Sequence, residues 1–239
     1  MLIGCLVCAA LFFAPGELRA VTKTWVGSTG NWSAAAKWNP AGVPGATDSV
    51  IINAGTATLD VAATIGWLAV VGGSGISGTN NLTVNGGFHY NEGTLNYEGD
   101  LTVNGNFYFG VGIIGNGAIG GTITVNGLTT VGPADAYAGH WVRKKTLICN
   151  GGMLWLGGNI GATEGGIWRI APGTTLTETA TSPALPLIRI YNNFSGTATF
   201  ENQGTFIRNG TVPLYIGDSN VGFINSGTFV SAGANIDKF

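Results

Sequence analysis

Beyond residue 20 the chain carries eleven acidic residues: Asp48, Asp60, Glu92, Glu98, Asp100, Asp135, Glu164, Glu178, Glu201, Asp218 and Asp237. Carboxylates do two kinds of work on polysaccharides. Clustered, they hold Ca²⁺ through about six to eight oxygens; set on either side of a glycosidic bond, they serve as acid and base or as nucleophile. The tightest cluster is Glu92, Glu98 and Asp100, three acids within nine residues. One loop could gather them, but a solvated turn edge uses the same residue types, and that plainer reading is preferred. Arg169, Arg189 and Arg208 recur at steps of 20 and 19 in the contexts IWRI, LIRI and FIRN. If that step is one structural repeat, three guanidinium groups form an outer ladder able to grip an acidic polysaccharide by bidentate bonds. Like charges stacked without an anion between them repel. Coincidence, or pairing with Glu178 and Glu201, is the stronger reading.

Other chemistries find little support. His89 and His140 stand fifty-one residues apart, with no CxxC, HExxH or DxDxDG pattern near either, so no metal site is expected. His89 alternates with Phe88 and Tyr90 and therefore faces solvent in an extended strand. No G-x-S-x-G, phosphate loop or dinucleotide fingerprint is present, and no cofactor is expected. A formal charge of −2 argues against nucleic acid as a partner.

Any such residues must be positioned by a repeat. LTVNG at 82–86 returns as LTVNG at 101–105, ITVNG at 123–127 and LICNG at 147–151. This places Asn85, Asn104, Asn126 and Asn150 in one column, each followed by Gly, at steps of 19, 22 and 24. Asn-Gly between strands is a hairpin signal, but hairpin strands recur about every 8–12 residues. Steps near twenty-two fit one turn of a solenoid carrying short strands. Period-2 alternation sends Leu and Val inward, with Phe88 and Phe107 inward on the next side. Asn-Gly then turns the chain through left-handed backbone angles. Stacked coils set the asparagines about 4.8 Å apart, where amides carrying donor and acceptor form a hydrogen-bonded ladder. A second column links FENQGTF at 200–206 with FINSGTF at 223–229, and NEGTL at 91–95 shares its pattern. Cys149 occupies the position of Val84, Val103 and Val125, as a buried apolar stand-in.

Composition agrees. Glycine is 41 of 239 residues, charged residues are only 9%, and apolar residues reach 45%. The expected fold is an all-β, right-handed parallel β-helix of about eight coils over residues 60–239. A cap with the first strands precedes it over 21–59, and a signal peptide over 1–20. That leader, MLIGCLVCAALFFAPGELRA, has an apolar run, a Pro-Gly break and a small residue at the cut. It contains Cys5 and Cys8, so one cysteine remains beyond it and no internal disulfide is expected. No transmembrane segment is expected after its removal.

The Asn-Gly repeats resemble the passenger regions of bacterial autotransporters and related β-helical surface proteins, over most of residues 50–239. The segment TWVGSTGNWSAAAKWNPAGVPGATDSVII, 24–52, resembles the opening T-W-x-G-G-x-G-N-W…N-W…P…D of many secreted bacterial repeat proteins. Trp25, Gly27, Gly30, Asn31, Trp32, Trp38, Pro44 and Asp48 match; Ser28 replaces the second Gly and Lys37 the Asn before the tryptophan. The resemblance implies a secreted or cell-surface, outer-membrane-associated location, and it names no reaction. Trp25, Trp32 and Trp38 are read as a cover for the open end of the first coil, with a sugar-stacking platform as the alternative. The repeat still runs at SAGANIDKF, which suggests a fragment of a longer chain, or end-to-end self-association at an uncapped coil. Acid scarcity favours a non-catalytic adhesin or structural passenger with surface glycans or acidic polysaccharide as partners. A polysaccharide lyase or hydrolase of the pectate-lyase type, and a carbohydrate-binding solenoid, are the alternatives.

Overall fold

The computed structural model describes residues 19–115, 120–132, 139–181, 188–192, 196–217, 220–232 and 236–238. Residues 1–18 of the expected leader 1–20 lie outside the described residues, as do Asp135 and Asp218. The chain winds into a β-solenoid of about seven turns, one fewer than the repeat suggests. Each full coil contributes one strand to each of three sheets, with eleven, ten and eight strands among the described residues. Among the described residues pairing is parallel with one exception, the antiparallel contact of Thr24 and Trp25 with Asn39 and Trp38. The parallel stack begins before residue 60: Ser49–Ile52 and Thr56–Leu59 already pair in register with the coil above.

Alternation builds the core. Ile65, Val84, Val103, Val125, Cys149 and Ile170 follow one another down the eight-stranded sheet, all buried. On the eleven-stranded sheet Phe88 and Phe107 stack with centroids 5.0 Å apart and planes 19° from parallel. Each such side chain contributes roughly 1.5–3 kcal/mol by leaving water. Cys149 is fully buried, and burial pushes its thiol up to about 12, so it remains a neutral apolar filler.

The Asn-Gly corners differ from expectation in mechanism. Gly86, Gly105, Gly127 and Gly151 are not in the left-handed region. What they supply is vertical room. A Cβ on Gly105, Gly127 or Gly151 would lie 2.6, 2.4 or 2.2 Å from the carbonyl oxygen of the corner glycine one coil earlier. The obstacle is backbone, which a neighbour cannot swing aside. Gly127→Ala is therefore expected to lower stability by about 1–3 kcal/mol, as read from the chemical-denaturation midpoint.

Three tryptophans close the N-terminal end. Trp25, Trp32 and Trp38 are each 2% exposed or less. Trp38 meets Trp25 and Trp32 edge-on at 4.9 and 4.8 Å. Its indole N–H donates to Trp32 O at 2.8 Å. Asp48 holds the entry to the first coil, accepting from Val21 N at 3.0 Å and Gly45 N at 2.8 Å. Asp60 ties the cap to the next strand through Ser33 N and Ser33 Oγ, at 3.0 and 2.5 Å. A platform for sugars needs open indole faces, so that alternative is corrected: these faces are spent on one another and on the core. Among the described residues no helix is long and apolar enough to cross a membrane.

Candidate functional site

The four repeat asparagines meet vertically. Asn104 Nδ2 reaches Asn85 Oδ1 at 3.5 Å, Asn126 Nδ2 donates to Asn104 Oδ1 at 2.9 Å, and Asn150 Nδ2 donates to Asn126 Oδ1 at 3.1 Å. Asn85 Nδ2 closes the column on Ala46 O at 3.2 Å. All four are exposed, at the corner where the eight-stranded sheet passes into the eleven-stranded one. Asn202 Nδ2 donates to Asn225 Oδ1 at 2.7 Å in a separate, inward pair. NEGTL does not join that pair. Its Asn91 ends a strand of the eleven-stranded sheet, and Gly93–Tyr97 enters the ten-stranded one, so the shared letters serve two different corners.

The arginine ladder does not form, because the coils in this stretch are longer than the arginine spacing. Arg169 lies on the eight-stranded sheet, Arg189 on the ten-stranded and Arg208 on the eleven-stranded. The residue in register with Arg169 is Glu201, 32 positions on, and Arg169 Nε donates to Glu201 Oε2 at 2.6 Å. Arg189 is exposed and lies 5.8 Å from the Tyr191 ring centroid. Arg208 points inward. It is fully buried in register with Glu178, also fully buried, with Nε 3.4 Å from Glu178 Oε2 and an N–H donated to Val212 O. Strand parity explains this: Phe206 and Arg208 share a face in TFIR, so a buried Phe206 carries Arg208 inward.

The remaining carboxylates are dispersed. Glu92 sits at one corner with φ +58, while Glu98 and Asp100 lie at the next, so the three do not share a loop. Asp100 Oδ1 accepts from Thr122 N at 2.7 Å. Lys145, 2% exposed, donates to Gly120 O at 2.7 Å and lies over the Tyr97 ring at 5.4 Å. Burial lowers its pKa, and the nearby charges of Asp100 and Glu98 pull it partly back. Glu164 binds Arg143 at 2.5 Å and Lys144 at 3.2 Å, and those hydrogen bonds hold its carboxyl below the ordinary range. His140 is buried, with Nδ1 3.0 Å from Asn159 O and Nε2 2.6 Å from Gly110 O. Among the described residues no three of His, Cys, Asp or Glu gather as metal ligands.

A different surface stands out, the outer face of the eleven-stranded sheet. Its central outward column runs Ile51, Ala69, His89, Tyr108, Thr130, Leu154, Thr177, Ile207 and Val230. No Lys, Arg, Asp or Glu occurs in it. His89 and Tyr108 stack at 4.8 Å with planes 20° apart. One rung below His89, on the column nearer the asparagine corner, Trp67 is 37% exposed and lies against Gly87. Two rungs above Tyr108 a shallow open groove is lined by Leu128, Asn150, Met153, Leu154, Thr175 and Thr177. The neighbouring outward column of the eight-stranded sheet is uncharged over Thr64, Thr83, Thr102, Thr124 and Ile148, and beyond these it carries the Arg169–Glu201 pair.

No protein family matches the chain, and neither does any curated protein or solved structure. The aromatic face is therefore read from its own chemistry. Alternation already carries the signal: Leu68 and Val70 are buried, so Trp67 faces out, and Tyr108 stands between two buried phenylalanines. Neutral aromatics at outward parity are the signal for this face in the letters, and it is a weaker one than charge.

Proposed function

We propose that the chain is a secreted or cell-surface β-helical module, outer-membrane-associated, that acts as an adhesin or structural passenger without catalysis. One observation supports the reading above others: among the described residues most carboxylates are committed to the scaffold, and Glu92 lies at a different corner from Glu98 and Asp100. Asp48 and Asp60 hold backbone amides of the cap, Glu178 and Glu201 pair with Arg208 and Arg169, and Glu164 pairs with Arg143 and Lys144. The outward-facing sheet, by contrast, offers a long uncharged surface suited to repeated shallow contacts. Such a surface acts by length and repetition, and it requires no acid or base.

The test is retention without turnover. Beads coated with the chain are incubated with soluble and surface-bound polysaccharides, and both bead capture and the supernatant are measured. Capture with no new reducing ends and no unsaturated uronate, with or without Ca²⁺, is the expected result. Product accumulating in proportion to time overturns the reading.

A further inference from the structure

We infer that the outer face of the eleven-stranded sheet binds a neutral polysaccharide, seated on Trp67 and the His89–Tyr108 pair and running along the stack beside the asparagine ladder. This deepens the surface-module reading and rests on it.

The aromatic groups set the ligand class. A sugar ring has apolar faces of C–H groups and a rim of hydroxyls, so it is held by flat aromatic faces together with side-chain donors and acceptors. Trp67 presents its indole to solvent with no ring partner among the described residues, although more than thirty coil positions around it bury their apolar side chains. A single exposed aromatic is ordinary, but here Trp67 adjoins the stacked His89–Tyr108 pair on one uncharged face, and a contiguous patch of that kind marks an interaction surface. Along a parallel stack the rung of Trp67 and that of Tyr108 lie two strand spacings apart, about 10 Å. A flat stack of rungs favours an extended chain over a compact ligand.

The ladder supplies the polar half. An asparagine amide has two N–H donors and an oxygen with two lone pairs. Asn126 spends one donor on Asn104 and one lone pair on Asn150. One N–H and one lone pair therefore remain for a ligand at each rung. Because the ladder bonds fix the amides, a hydroxyl-rich partner meets donors that are already ordered, which lowers the entropic cost of binding. Asn106, exposed at the same edge, adds another amide, its Oδ1 being taken by Leu128 N at 3.0 Å.

Charge decides between sugars. The central outward column from Ile51 to Val230 holds no lysine or arginine, and the arginines expected to grip uronates are paired or lie on other sheets. An acidic polymer gains nothing on this face, whereas a neutral one loses nothing.

The experiment is affinity electrophoresis of the full chain through gels containing neutral glucans, xylans and mannans, with polygalacturonate and alginate run in parallel. We expect retardation by at least one neutral polymer and none by the acidic ones. Trp67→Ala and Tyr108→Thr should each weaken that retention at least tenfold, while Arg169→Ala leaves it unchanged. Threonine is chosen at 108 because Thr130 fills the same column one rung on, so this variant keeps the fold even if Trp67→Ala does not. Unchanged melting temperature for Tyr108→Thr, with retention lost, supports the site. Failure of every neutral polymer, or retention untouched in both variants, overturns it and leaves the surface-module reading standing. Retention by acidic polymers alone overturns it likewise. Concentration-dependent dimers abolished by Tyr108→Thr would assign the face to a second copy and overturn it. Polymer cleavage would overturn the surface-module reading itself.

Discussion

Replacing Arg208 with methionine is expected to cost about 3–5 kcal/mol. The change leaves Glu178 fully buried with its carboxylate facing no cation. Ala180 N still donates to Glu178 Oε1 at 2.5 Å and the Gly210 amide also faces the carboxylate, but neutral amides do not replace a guanidinium. The double variant Glu178→Leu/Arg208→Met removes both charges together and should recover most of the loss, since apolar pairs of similar volume often match buried ion pairs. Burial raises the Glu178 pKa more than the Ala180 amide and the Arg208 guanidinium lower it. The sign follows. Its folded pKa exceeds its unfolded one, so the stability it contributes is full below the unfolded value and declines as pH rises through the folded one. Urea unfolding of the single and double variants, followed across that range, measures both effects. Solenoid stability adds coil by coil, so the loss should appear first as an earlier transition in the coils around residues 175–216.

Trp38→Ala is the second large effect, again about 3–5 kcal/mol. It deletes the ring that meets Trp25 at 4.9 Å and Trp32 at 4.8 Å, and the N–H that binds Trp32 O. It also takes away the side chain that anchors the two-residue antiparallel strand covering the first rung of the eleven-stranded sheet. An uncovered parallel edge templates further strands. The variant should therefore both melt earlier and scatter light on concentration. A melting shift with no association would mean that Trp38 stabilises the core without guarding the edge.

The fold was legible because the repeat speaks twice. Leu and Val at period 2 give the inward face, and an invariant Asn-Gly at nearly constant steps gives the coil. The amide column followed from donor and acceptor chemistry alone, and the coordinates place those atoms within hydrogen-bonding reach. The corner glycines misled on mechanism, because positive φ and vertical crowding select the same residue and only the backbone angles separate them. The arginines misled on position. A step near twenty counts as one coil only while coils keep that length, and the coil between Arg169 and Glu201 spans 32 residues. Parity within FIRN was a signal available in the letters that would have turned Arg208 inward. NEGTL shows the reverse failing, a shared pattern placed at two corners. The candidate face was the least legible feature. It is defined by the absence of Lys, Arg, Asp and Glu from one outward column, and that is visible only once the register is fixed.

One continuous face exists only if the rungs lie parallel and in register. Cysteines introduced at Thr83 and Thr102, with Cys5 and Cys8 changed to serine, test it directly. The two positions are register partners on adjacent strands, about 4.8 Å apart at Cα, which lies within disulfide reach. Rapid, quantitative crosslinking under mild oxidation, with none for a Thr83→Cys/Tyr108→Cys control whose positions lie on different sheets, is the result predicted. Failure of the first pair to close, or equal closure of the control, would contradict the stack and the face built on it.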